Sequence, residues 1–304
     1  VSETDQERVE DRLLPDYWTI SHADVKLSER KISGMAQVEG AVGGRFRYAV
    51  GASAMERRLS SAQDTDLVGW LVRPWANGRW SITDRLQASA GIGVAYFTFN
   101  SETALEPRAT LQWRMPHDRK LALAFGVRSQ LPQWQSFSVF EQNMATHRDI
   151  GLTRSQDLVL GYDLPVKDRF TFHAEAYYQL LSNVPVEQAG FLALHGGDLS
   201  MVNVWDEPVV VPLQSTGTAT NTGVELAVDH RFAHDFFYQA NASVFNSLYV
   251  DAAGREHDTR WDGNWIGNVL GGKEFRKVKA DRVRTWGVSG RLNVMGGLPG
   301  LALP

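Results

Sequence analysis

The chain has 304 residues, 31 Lys+Arg against 35 Asp+Glu, a net charge of −4 and no cysteine. Near-balanced charge leaves no basic footprint, so no nucleic-acid partner is expected, and the missing thiols exclude disulfides, thiolate metal sites and cysteine nucleophiles together. No run of roughly 18 apolar residues offers a transmembrane helix, but that test passes over barrel strands, which show only alternating apolarity.

In chain order, residues 1–30 are acidic at first and alternate poorly, and they read as a loop or cut edge. From residue 31 the apolar period is 2, the signature of strands. Strand-sized segments fall at 31–42, 45–57, 68–80 and 85–99. The clearest follows, with Leu105, Pro107, Ala109, Leu111, Trp113 and Met115 alternating with Glu106, Arg108, Thr110, Gln112 and Arg114. After Pro116-His117-Asp118, where proline fixes φ and aspartate tolerates turn geometry, Leu121, Leu123, Phe125 and Val127 continue the pattern. Further segments at 156–164, 169–180, 224–232, 236–250, 263–277 and 283–294 bring the expectation to about twelve strands.

The predicted connections come in two sizes. Tight turns fall near Gly43-Gly44, Ile82 to Asp84, Pro116 to Asp118, Pro165 to Asp168 and Ala233 to Asp235, whereas the connections near 131–155 and 183–218 exceed about 20 residues, a length uncommon in compact soluble domains. Short turns at one end and long loops at the other describe an antiparallel transmembrane β-barrel. A soluble all-β domain also alternates, so the face that is not apolar matters: Ser89, Gly91 and Gly93 among charges of both signs suit a wet lumen. Aromatics near segment ends (Trp70, Trp75, Trp80, Tyr96, Phe99, Tyr177, Tyr178, Phe236, Phe237, Tyr238, Tyr249) suit girdles at the two lipid–water interfaces. Residues 31–304 are expected to form one run of barrel strands.

Four local sequences are more specific than periodicity. Glu106 to Trp113 followed by Leu121 to Gln130, Arg148 to Ser155, Asn221 to Leu226, and Asp262 to Phe275 (DGNWIGNVLGGKEF) resemble, in order and spacing, strands of the TonB-dependent outer-membrane receptors of the Bacteroidetes type. The matches cover about residues 68–297. The family's barrel has roughly 22 strands around an N-terminal plug, so the resemblance implies the later part of such a barrel, without the plug: a partial barrel of about twelve strands forming an open curved sheet. It further implies a place in the bacterial outer membrane. The function would be binding of a scarce extracellular small ligand, peptide or glycan for import to the periplasm. The partners would be outer-membrane lipid, a plug domain and a TonB-type energy-transducing protein, with no enzymatic step and no cofactor. The alternatives are an autonomous small barrel acting as a passive pore or adhesin, and a soluble all-β binding domain.

Candidate chemistry is sparse. Gly267 and Gly272-Lys273 echo a phosphate loop, but Glu274 stands where a metal-holding Ser or Thr is needed. His230 and His234 have ligand spacing only on a helix, and here they read as solvated turn residues. His173, Glu175 and Tyr177 share a strand face and are expected as hydrogen-bonded lumen residues; no serine sits in a nucleophile elbow. The ligand-contact expectation falls on the long loops and lumen face. Trp134, Phe137, Phe140 and Glu141 interleave aromatic and polar groups suited to stacking on a ligand, Trp205 lies in the second long loop, and Arg128, Glu175 and Tyr177 lie on the polar face.

Overall fold

The structure, a computed structural model, describes residues 2–13, 20–61, 67–137, 149–166, 170–188, 199–204, 212–233, 235–279 and 282–297. The chain is all-β. Its strands are β1 (Ser2–Leu13), β2 (Ile20–Val42), β3 (Phe46–Ser61), β4 (Leu67–Ser81), β5 (Leu86–Phe97), β6 (Glu102–Arg114) and β7 (Lys120–Gln130). They continue as β8 (Thr153–Val166), β9 (Phe170–Glu187), β10 (Leu213–Ala233), β11 (Phe236–Val250), β12 (Glu256–Asp258), β13 (Trp265–Lys279) and β14 (Arg282–Met295). Each pairs antiparallel with its chain neighbour in one curved, unclosed sheet, and the short β12 pairs β11 off the path, leaving thirteen strands in the row from β1 to β14.

The register assigns every strand residue to one of two faces. Phe125 on β7 lies opposite Ala109 on β6 and Leu158 on β8, and Leu158 lies opposite Tyr178 on β9. Continuing across the row, Val224 faces Ala176 on one side and Val244 on the other. This face is apolar from β2 to β14 and stands in solvent: Val50, Ile92, Leu111, Leu123, Leu160, Leu226, Val269 and Leu292 are all exposed. A water-soluble sheet would cover such a face, whereas a barrel turns it to lipid.

Aromatics sit at both margins of the apolar face. On β4, Trp70 and Trp80 are both exposed, and ten residues at about 3.3 Å each, tilted about 40°, place them about 25 Å apart along the membrane normal, the height of a barrel's apolar band. Of the residues expected in girdles, Trp70, Trp80, Tyr96, Tyr178 and Phe236 are exposed on the outer face. Others turn inward: Trp75 opposes Gly51 and Gly93, Phe237 opposes Gly272, and Tyr249 is buried. Nearness to a strand end sets depth, while residue parity sets the face.

Connections segregate by length. The turns after β2, β4, β6, β10 and β13 are short and share one end, while the 131–152, 188–212 and 251–264 connections lie at the other. Gly43 and Gly44 turn with positive φ, and so do His117 and Asp118 after Pro116, closed by the Met115 amide donating to the Arg119 carbonyl at 2.8 Å. Residues 1–30, expected as loop or cut edge, contribute β1 at the sheet's edge and the first part of β2, paired through Ser2↔Lys31 to Leu13↔Ile20. A ladder is built from backbone groups, so a charged, non-alternating segment can still enter it. The phosphate-loop echo lies within extended β13, where no phosphate cradle forms.

The buried core is on the inner face at the long-loop end. Leu59, Leu67, Leu71, Ala95, Phe97 and Ala104 from β3 to β6 pack against Leu131, Phe137, Ile150, Leu152 and Leu213 from the loops and the start of β10. One face of β4 therefore changes character along its length: Leu67 and Leu71 lie beneath the loops, and Arg73, Asn77 and Arg79 lie beyond them.

Candidate functional site

The inner face presents polar chemistry organised by strand register. Its best-connected part is a row crossing β8 to β11. Asp157 accepts hydrogen bonds from Ser155 Oγ (2.6 Å) and Gln179 Nε2 (2.7 Å). Gln179 Oε1 accepts from Asn221 Nδ2 (2.6 Å), Asn221 Oδ1 accepts from Ser247 Oγ (2.6 Å), and Ser247 Oγ accepts from Thr259 Oγ1 (2.8 Å). Such a chain fixes its members' orientation, because rotating one removes a partner from the next. Arg128, one of the expected contact residues, stands at the end of this row, 83% exposed and 3.9 Å from Asp157.

Nearer the short turns, the expected trio shares the inner face. His173 is held between two carboxylates, Nδ1 2.8 Å from Asp163 and Nε2 3.3 Å from Asp229. Glu175 lies between Gly161 on β8 and Glu225 on β10. Tyr177 lies opposite Gly223 and shares a hydrogen bond with Ser243. The alternation foretold the common face; Asp163 and Asp229, which immobilise the imidazole, come from other strands and required the register.

A second polar cluster lies where the lumen meets the loop core. Glu106 Oε1 accepts from the Ser129 amide (2.9 Å) and from its hydroxyl, and Arg73 Nε stands 3.7 Å away. Glu102 accepts from the Leu152 amide (2.5 Å), tying the returning end of the 131–152 loop to β6. The loop's start is fixed by Phe137, fully buried with ring centroids 5.6 Å from Phe97 and 5.5 Å from Phe99. Phe137 thus anchors the loop. Trp134 opens the 3-10 turn Trp134–Phe137 in which the anchor sits; Phe140, Glu141 and Trp205 lie outside the described residues.

His230 differs from the expectation of a solvated turn residue. It is 5% exposed, stacked on Phe236 (4.7 Å) and Tyr238 (4.9 Å) and met edge-on by Phe170 (4.6 Å). The rings come from β9 and β11, the strands flanking β10, so local sequence could not announce them; His234 lies outside the described residues. Among the described residues no group of three or more His, Asp or Glu is placed to hold a metal ion.

In the connection after β11, the Asp251 side chain is fully covered. Burial alone would raise its pKa, but hydrogen bonds from His257 (2.9 Å), the Arg255 amide (2.9 Å) and side chain (2.8 Å), and the Ala253 amide (2.8 Å) outweigh it and hold the carboxyl at about 2. Asp262, also buried, accepts from the Ser247 amide and Asn246 Nδ2, both at 3.1 Å.

An unclosed antiparallel sheet with an apolar outer face, a polar inner face and all long connections at one end defines the wall of a transmembrane β-barrel. Solved outer-membrane proteins share this fold. The FrpB iron transporter of Neisseria meningitidis superposes with a TM-score of 0.59 at 11% identity over 89% of this chain and 48% of that one. The alcaligin outer-membrane receptor FauA of Bordetella pertussis gives 0.58 at 14% identity over 90% and 47%. The ferric-catecholate import receptor Fiu of Escherichia coli K12 gives 0.60 at 11% over 84% and 44%. The chain spans about half the length of these proteins, and at such identities the likeness is one of fold. No protein-family model matches the sequence, and no curated protein does.

Proposed function

We propose that this chain is barrel wall of a TonB-dependent outer-membrane receptor, which binds a scarce extracellular ligand and imports it to the periplasm. The observation that carries the proposal is the segregation of connections on a sheet whose apolar face is exposed from β2 to β14. Its resemblance to strands of the Bacteroidetes-type receptors and its superposition on barrels of outer-membrane transporters support the same reading. The protein's chemistry is then recognition and passage, with no covalent step. Trp134, Phe140, Glu141 and Trp205, which belong to the two long connections in the sequence, and Arg128, Glu175 and Tyr177 on the inner face are the proposed ligand-contact set, and Phe137 holds the start of the first loop against the wall. A plug domain and a TonB-type partner complete the device.

Cell fractionation tests the proposal. The expected result is recovery of the protein in the outer-membrane fraction, with extraction only by detergent and β-rich circular dichroism in micelles. A monomer that stays dissolved without detergent overturns it.

A further inference from the structure

We propose that the inner face of β3 to β6 carries a binding site for a small polyanion, a solute with two or more carboxylate or phosphate groups, built on Arg47, Arg79 and Arg108. The inference rests on the reading of this face as a wet lumen. It adds the chemical class of a ligand and a place for it on β3 to β6.

Three observations converge. First, several inner-face arginines meet carboxylates: Arg57 is paired with Glu29, Arg73 stands 3.7 Å from Glu106, and Arg128 stands 3.9 Å from Asp157. Arg47, Arg79 and Arg108 make no ion pair with a described residue, and Glu39, the acid beside them, accepts a hydrogen bond from Gln37 at 2.8 Å. Second, Arg47 and Arg79 are direct cross-strand partners. Like charges placed directly opposite destabilise a ladder, so the arrangement is favourable when an anion lies between them. Third, the three arginines line one concavity of about 660 Å³ with Asn77, Ser89 and Thr110, which add hydrogen-bonding groups; small-ligand sites run from roughly 300 to 1,000 Å³. Gly91, paired with both Asn77 and Arg108, lets the Asn77 side chain lie across it, which lays that amide over the strand between the arginines.

Geometry sets the ligand class. With neighbouring strands about 4.8 Å apart, arginines on β3, β4 and β6 spread over about 15 Å, too far for one carboxylate to reach all three. A polyanion engages them together, each guanidinium offering a planar fork to a carboxylate or phosphate. The arginines point away from the apolar outer face, which selects a free solute over a lipid headgroup. Further along the same face β8 to β10 are acidic, with Glu175 opposite Glu225 and Asp163 and Asp229 flanking His173, so an anion in the lumen is driven toward β3 to β6.

Citrate and pyrophosphate titrated calorimetrically into the full chain, folded in zwitterionic micelles at low salt, test the site. Saturable binding is expected, weakened at least tenfold by Arg79→Gln and by Arg108→Gln, partly retained by Arg79→Lys, and unchanged by Arg291→Gln, an inner-face arginine on β14 whose Nε donates to Asn293. Each variant is first checked for unchanged β-sheet circular dichroism. Absence of saturable binding, or an equal loss in Arg291→Gln, overturns the polyanion site. Failure of the barrel reading looks different: a chain soluble without detergent overturns that reading, and citrate binding lost on Arg79→Gln would still uphold the site.

Discussion

An arginine placed at successive positions along β7 measures what surrounds each face. Phe125 lies on the outer face between Ala109 and Leu158, whereas Leu121 lies beside Trp113 at the band's margin. The four residues separating them, at about 3.3 Å each and tilted about 40°, put Phe125 about 10 Å deeper, close to the middle of a 25 Å band. Phe125→Arg should therefore cost about 2–4 kcal/mol and Leu121→Arg no more than about 1 kcal/mol. Ala124 occupies nearly the same depth on the inner face, between Thr110 and Val159. Water and Asp157 are within reach there, so Ala124→Arg should cost less than about 1 kcal/mol. Urea unfolding in phospholipid vesicles, followed by tryptophan fluorescence, reads all three. Equal costs at Leu121 and Phe125 would refute the bilayer, since a protein core has no such depth gradient, and a largest cost at Ala124 would refute the assignment of faces.

Three further outcomes follow from local geometry. Phe137→Ala removes a fully buried ring worth about 3–5 kcal/mol; amide exchange at Gly151 and Leu152, bonded to Ser215 Oγ and Glu102, should accelerate at least a hundredfold, and unchanged protection would show that the loop is held elsewhere. At Gly223 an added Cβ would fall 2.6 Å from the Tyr177 hydroxyl and 2.9 Å from Phe245 Cβ, so Gly223→Ala should cost about 1–3 kcal/mol, while Gly34→Ala, with open space around it, should leave the thermal midpoint unchanged. Asp251, held at about 2 against an ordinary 3.8, contributes about 2 kcal/mol above pH 4 that disappears as pH falls through 2. Asp251→Asn should accordingly destabilise at pH 7 and converge with the parent near pH 2, and a pH-independent gap would rule out ionisation as the cause.

The sequence declares the faces of this sheet and conceals what spans several strands. Along β6 and β7 strict alternation identifies both faces and the turn between them, because one side meets a uniform medium. On β4 the inner face runs from Leu67 and Leu71 to Arg73 and Arg79 without breaking the period, so burial under a loop cannot be told from exposure to a wet lumen. The row Asp157, Gln179, Asn221 and Ser247 becomes visible only when four strands are brought into register. His230 owes its burial to Phe170, Phe236 and Tyr238, and nothing local distinguishes it from a solvated imidazole. β1 has a charged sequence without alternation, so only its backbone pairing with β2 reveals it as a strand.

The thirteen-strand row imposes a parity. Every neighbouring pair is antiparallel, so β1 and β14 point in the same direction, and joining them edge to edge would create a parallel seam. An all-antiparallel cylinder has an even count. A cylinder containing this row must therefore insert an odd number of further strands between β14 and β1, whatever chain supplies them, and a design that seeks a minimal closed form from these residues should add one strand or remove one.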